Sequence, residues 1–197
     1  MKNIFALIDL QNDFVLPNGK LTVNAPNLIR KTQKFVDRTT ARFNEYWVTY
    51  DTHFEESYGQ TEEAKLFPPH CIYGTDGWQV PVTFPSGKPV CKFIKATTNL
   101  WAEEHQYPNL KKDLKNTTFY VAGVCSDICV IQAIDGLLQK GGNVVVLRDL
   151  TTGLEKETDA VVQTPYYQKL IARGQLKVTD SENIFTNVYT KGCNERD

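Results

Sequence analysis

The chain predicts a single-domain α/β fold over residues 1–197, doubly wound, with a mainly parallel sheet and helices on both faces. Short β-branched or aromatic runs alternate with helix-period segments, and most of those runs read as strands buried on both faces. A length of 197 residues suits one well-buried domain better than two. Asn3 to Asp9 (NIFALID) reads as the first strand. Ala25 to Asn44 follows with helical spacing through Leu28, Ile29, Thr32, Phe35 and Val36. Further strands are expected at Glu45 to Asp51, Pro89 to Ile94, Thr117 to Ala122 and Asn143 to Arg148. Helices are expected at Asp127 to Lys140, closed by Gly141-Gly142, and at Glu155 to Arg173, closed by Gly174. Right-handed crossovers between such units give parallel strands, and ligands then bind beyond the carboxyl ends of those strands.

The chemistry-bearing residues fall at those ends. Asp9 ends the first strand, Asp51 and His53 the second, Lys95 the third, and Cys129 follows the fourth. The run Thr117 to Val130 (TTFYVAGVCSDICV) turns sharply after Gly123 and carries Cys129 into the start of a helix. Backbone N–H groups there favour a thiolate and can hold an oxyanion. A small buried Cys on a helix face is also ordinary packing, so the segment alone leaves both readings open.

Composition narrows the partners. With 22 basic and 23 acidic residues the formal net charge is -1, which gives neither a nucleic-acid footprint nor a membrane-binding patch. A small-molecule substrate is expected. No window is long and apolar enough to span a bilayer, and the opening residues run straight into a strand, which points to a cytoplasmic location. Five cysteines at irregular spacing (Cys71, Cys91, Cys125, Cys129, Cys193) suit a reducing compartment without disulfides. Cys125-x-x-x-Cys129 is not the Cys-x-x-Cys spacing of redox proteins, which leaves a thiol or redox protein as a remote alternative. The polar residues 191–197 are expected to fray.

The stretch 52–88 shows little periodicity and contains Pro68-Pro69-His70, Gly74 and Gly77, so it reads as a functional loop. Asp51 and His53 lie two apart, on the same side of an extended segment, and Glu63 and His70 share the loop. Two His with two carboxylates suit zinc, iron or manganese, although a solvated loop with a capping His is the ordinary alternative. Asp9 can be a general base or a turn cap, and Lys95 a poorly solvated active-site cation or a surface lysine. Phe14, Phe67 and Trp101 can wall an aromatic slot or fill the core.

Taken in order, Asp9 in DLQNDF, Asp51 and His53 in YDTH, Glu63 and His70 in EAKLFPPH, Lys95, and Cys129 in GVCSDICV resemble the signature of the isochorismatase-like cysteine hydrolases, and more narrowly of nicotinamidases. The resemblance implies a metal-dependent amidohydrolase that converts nicotinamide to nicotinate and ammonia through a thioester, a step of NAD salvage. Pyrazinamide is a candidate second substrate, and a homo-oligomer is weakly favoured. Asp9, Lys95 and Cys129 would be catalytic, and the N–H groups of Cys125 and Cys129 would form the oxyanion hole, with a cis peptide at Val124-Cys125. Asp51, His53, Glu63 and His70 would hold a divalent ion, zinc first and iron or manganese as alternates, while Phe14, Phe67 and Trp101 would sandwich the ring. Three positions depart from the common pattern. Glu55, Glu56 and Ser57 stand where many nicotinamidases have a third histidine, so that ligand is carried to Glu63. Asn99-Leu100-Trp101 replaces Ser-Ala-Phe, and Ser126 replaces Thr. Another amide or carbamoyl hydrolase of the same superfamily is the alternative.

Overall fold

In a computed structural model the chain is described over residues 1–189, with side chains to residue 185. Cys193 and the expected frayed tail lie outside the described residues. The strands are β1 (Lys2–Ile8), β2 (Glu45–Asp51), β3 (Val90–Lys95), β4 (Thr117–Val124), β5 (Asn143–Thr152) and β6 (Leu176–Thr179). They form one sheet of order β3-β2-β1-β4-β5-β6 in which every neighbouring pair is parallel.

Alternation along the central strand explains why both faces are covered. In β1, Ile4, Ala6 and Ile8 point into one core and Phe5 and Leu7 into the other. The first core is completed by α4 (Ile131–Gln139) through Ala133, Ile134 and Leu137. The second is completed by α2 (Leu28–Thr39) through Phe35 and Val36, and by α7 (Glu182–Tyr189) through Ile184 and Phe185. Edge strand β3 departs from burial on both faces. It alternates instead, with Ile94 exposed and Phe93 and Lys95 buried.

Several boundaries differ from the sequence reading for identifiable reasons. The first long helix begins at Leu28 rather than Ala25, because Pro26 precedes a left-handed Asn27 with φ 64°. The helix expected over Glu155 to Arg173 is two short ones, α5 (Thr158–Val161) and α6 (Pro165–Ala172). Pro165 has no N–H to continue a helix and sits where a new one starts. Ser126–Val130 is a π-helical turn leading into α4, so the helix expected from Asp127 starts as a widened turn. Strand β6 and helix α7 extend the fold beyond the elements read in sequence. The loop 52–88 carries α1-like short pieces: after α1 (Asn12–Val15) at the end of β1, it contains α3 (Glu55–Tyr58) and a 3-10 turn at Glu63–Lys65. Cys71, Cys91, Cys125 and Cys129 are all free thiols. Among the described residues no helix is long and apolar enough to cross a membrane.

Gly123 sets how closely β4 approaches β1. Its φ is 121°, and a Cβ there would meet the Ile8 carbonyl oxygen at 1.9 Å. The β4–β5 register shifts at the same point, between Val121 and Gly123. Gly123→Ala is therefore expected to cost about 2 kcal/mol or more in urea unfolding with an unchanged m value. Gly59→Ala, with nothing within 4 Å of the added Cβ, is expected to stay within about 0.5 kcal/mol. Equal midpoints for the two variants would contradict this account.

Candidate active site

Chain connections run outward from the centre of the sheet in two directions, β1 to β3 one way and β4 to β6 the other. The crevice at this reversal, beyond the carboxyl ends of β1 and β4, is where such sheets place ligands. Asp9 leaves β1 there with φ 46°, a left-handed conformation that Asp tolerates better than most residues. Thr49 of β2 pins it. The Thr49 hydroxyl donates to Asp9 Oδ1 at 2.6 Å and accepts from the Asp9 N–H at 3.0 Å.

Register brings the next partners together. Asp51 and Lys95 are the last paired residues of β2 and β3. The buried Lys95 ammonium lies 2.8 Å from Asp9 Oδ2, 3.2 Å from Asp51 Oδ1 and 3.8 Å from Cys129 Sγ, and it donates to the Thr97 carbonyl at 2.9 Å. Lys95 is 1 % and Asp9 0 % exposed, so these charges see little water. Burial pulls the lysine down, but Asp51, Asp9 and Cys129 outweigh it and hold it protonated well above its ordinary value. Burial pushes Asp9 up, with Lys95 opposing. Burial also pushes the Cys129 thiol well up; Lys95 pulls it down, while Asp9 and Asp51 push it further up. Desolvation therefore opposes the thiolate that the helix start was expected to favour. Burial thus favours the thiol form of Cys129 and makes the neighbouring Asp9 carboxylate more basic.

Asp51 has a second side. Its Oδ2 lies 3.1 Å from His53 Nε2 and 3.1 Å from His70 Nε2. Glu63 Oε2 closes the group at 3.3 Å from His53 Nε2 and 3.8 Å from His70 Nε2. One donor atom from each of the four residues falls within 4.8 Å of the others. An ion with bonds of about 2.0–2.2 Å separates its ligand atoms by about 3–3.5 Å, which these spacings approach. The second shell fits too. His70 Nδ1 lies 2.8 Å from the Pro68 carbonyl, which fixes the proton on Nδ1 and turns the Nε2 lone pair toward Asp51. With that tautomer, a cation between His70 Nε2 and Asp51 Oδ2 would satisfy both acceptors. Burial would pull His53 down, but in the absence of an ion its bonds to Asp51 and Glu63 push it up to about 9. The donor set therefore suits a divalent metal.

Beside Cys129 a small cavity is walled by Phe14, Phe67, Ile128 and Leu154 and floored by Cys125, Asp51, Glu63 and His70. Phe14 and Phe67 both pack against His70, with ring centroids 5.5 Å and 6.2 Å away. Trp101 is not brought to this cavity. Its indole N–H donates to the Gln132 and Ala133 carbonyls, and the ring lies against Gly136 on α4. The peptide Val124-Cys125 is cis, and burial pushes Cys125 up to about 12.

Supporting residues escaped the sequence reading. Gln11 donates to the Asp51 carbonyl at 2.9 Å and accepts from the Asp51 N–H at 2.8 Å, locking the end of β2. Asp13 accepts from the Cys71 N–H at 2.7 Å, next to His70. Both lie in the DLQNDF run, whose density of amide and acid groups after a strand is the available signal. Ile128 and Leu154 carry no polar signal at all.

Comparison with known proteins places the chain in a family. The isochorismatase domain family matches residues 3–164. An uncharacterized isochorismatase family protein PncA from Bacillus subtilis is 28% identical over 172 residues, covering 81% of this chain and 91% of that protein. A nicotinamidase/pyrazinamidase from Mycobacterium tuberculosis is 25% identical over 163 residues, covering 77% and 87%. The crystal structure of a pyrazinamidase from Pyrococcus horikoshii in complex with zinc shares the fold, with a TM-score of 0.68 at 21% identity over 91% of this chain and 99% of that one. On the family match over most of its length, the chain belongs to the isochorismatase domain family, a family of hydrolases.

Proposed function

We propose that this chain is a metal-dependent cysteine amidohydrolase that converts nicotinamide to nicotinate and ammonia. The observation that carries the reading is Asp51. One oxygen faces Lys95 and through it Asp9 and Cys129, and the other faces the two imidazoles of a four-residue ligand set, beside an aromatic-walled cavity. A thiol hydrolase with no need of a metal has no use for the second half. The nicotinamidase/pyrazinamidase name of one relative and the zinc in the archaeal pyrazinamidase support the same reading and make zinc the first ion to test.

The residues act as follows. Asp51, His53, Glu63 and His70 would hold a divalent metal, which when bound would supply a Lewis-acidic site beside the cavity for orienting the substrate. Phe14 and Phe67 hold the ring, and Asp9 takes the proton from Cys129 Sγ. Sulfur attacks the carboxamide carbon, and the backbone N–H groups of Cys125 and Cys129 hold the oxyanion. Asp9 returns the proton to the leaving nitrogen as ammonia departs. It then removes a proton from water, which cleaves the thioester to nicotinate and restores the thiol. Throughout, the Lys95 ammonium balances the negative charge that passes between Asp9 and sulfur.

Zinc-loaded protein is expected to release ammonia from nicotinamide. Cys129→Ala should lower kcat by about 10⁴-fold or more while keeping its metal. Asp51→Asn should lose both metal and activity, as measured by elemental analysis beside the ammonia assay. Metal-loaded protein inert toward nicotinamide but active on a carbamoyl compound would overturn the substrate assignment.

A pH profile tests the base. Because Asp9 must be ionised to accept the proton and burial raises it, kcat/KM should fall on the acid side with a midpoint above 3.8, at constant metal content. An acid limb at or below that value would contradict Asp9 as the base.

A further inference from the structure

Two residues before the nucleophile, the Asp127 carboxylate grips a separate segment of chain. Its Oδ1 accepts from the Leu154 N–H at 2.9 Å, and its Oδ2 accepts from the N–H groups of Glu155 at 2.8 Å and Lys156 at 2.9 Å. Ser126 adds a fourth tie, its hydroxyl donating to the Lys156 carbonyl at 2.6 Å. At Gly153 this strap lies so close to the turn that a Cβ would meet Ser126 Oγ at 2.7 Å. Charge-assisted bonds to three successive N–H groups are strong and directional, so they fix the strap relative to the turn that carries Cys129. They also outweigh the upward push of burial and hold the Asp127 carboxyl below its ordinary value.

The strap places one side chain at the cavity. Leu154 lines the small cavity at Cys129 and also an outer groove of about 680 Å³ running past Leu66, Ile131, Val161 and Tyr167. Phe67 and Ile128 line both spaces as well. Phe67 belongs to the metal-site loop and Ile128 to the nucleophile turn. Leu154 is the shared wall residue that belongs to neither.

We propose that Leu154 sets the size limit of the amide accepted at Cys129, and that Asp127 is a positioning residue acting through it. Removing the Leu154 side chain joins the cavity to this groove, whose apolar residues are rimmed by Asp127, Glu155 and Lys156, and gives a ring substituent somewhere to go. This inference rests on the amidohydrolase reading for its substrates, though not for the geometry of access to the thiol.

The test uses two readouts on metal-loaded wild type, Leu154→Ala, Asp127→Asn and the double variant. In the first, Cys129 alkylation by iodoacetamide and by a bulky N-aryl iodoacetamide is followed by peptide mass. The bulky-to-small rate ratio should rise about tenfold in Leu154→Ala, on the scale of a deleted aliphatic wall. In the second, kcat/KM for quinoline-3-carboxamide relative to nicotinamide should rise by a similar factor. Asp127→Asn should shift both ratios in the same direction and raise the KM for nicotinamide more than it lowers kcat. The double variant should match Leu154→Ala in both ratios, because Asp127 acts through that residue. Unchanged ratios in Leu154→Ala, or additive effects in the double variant, would overturn the proposal. If wild type hydrolyses neither amide, the amidohydrolase reading fails while the alkylation ratio still decides the strap.

Discussion

A single buried ammonium orders this site. Lys95 stands at the end of an edge strand with Asp9, Asp51 and Cys129 around it. Burying one cation costs several kcal/mol unless its partners are close and well placed, and removing a partner from such a group typically costs about 3–5 kcal/mol. The neighbouring geometry meets that demand. The β2–β3 register sets Asp51 opposite Lys95, the left-handed turn at Asp9 swings its carboxylate to the same point, and Thr49 fixes that carboxylate's other oxygen. Gly123 lets β4 lie close enough to β1 to bring Cys129 within reach.

The same ammonium divides the labour of Asp51. With one oxygen facing Lys95, the other is free to face His53 and His70, so two chemically different centres share one carboxylate. The long loop after β2, which carries His53, Glu63 and His70, is held in place by polar contacts. Gln11 binds both backbone groups of Asp51, Asp13 captures the Cys71 N–H, and the Tyr58 hydroxyl donates to the Phe67 and Pro68 carbonyls. A loop of this length keeps fixed positions because polar side chains such as Asp13 of α1 and Tyr58 of α3 satisfy its backbone.

Sequence patterning made the parallel sheet, its helices on both faces and the clustering at strand ends legible, because strand termini and β-branched runs are local signals. Glu63 was reached by resemblance, and the structure brings it beside His53 and His70. What escaped was decided by packing. A helical period over 155–173 could not reveal that Pro165 would restart the helix or that Asp127 would bind the preceding strap. The resemblance gave Trp101 a ring-stacking role where its aromatic type alone left core packing equally open, and the absence of a side chain at Gly136 gives its indole a place on α4. The upward push on the Cys129 thiol comes first from burial, which has no sequence signature.

In the proposed mechanism Cys129 forms a covalent bond to the acyl group while Asp9 manages its proton. The most direct measurement is the mass of the protein after acid quench during nicotinamide turnover, followed by peptide mapping. The account predicts a nicotinoyl thioester on Cys129 in the wild type and none in Asp9→Asn. Ammonia release with the acyl group on another residue, or with no adduct at any time in the approach to steady state while Cys129→Ala remains active, would contradict it.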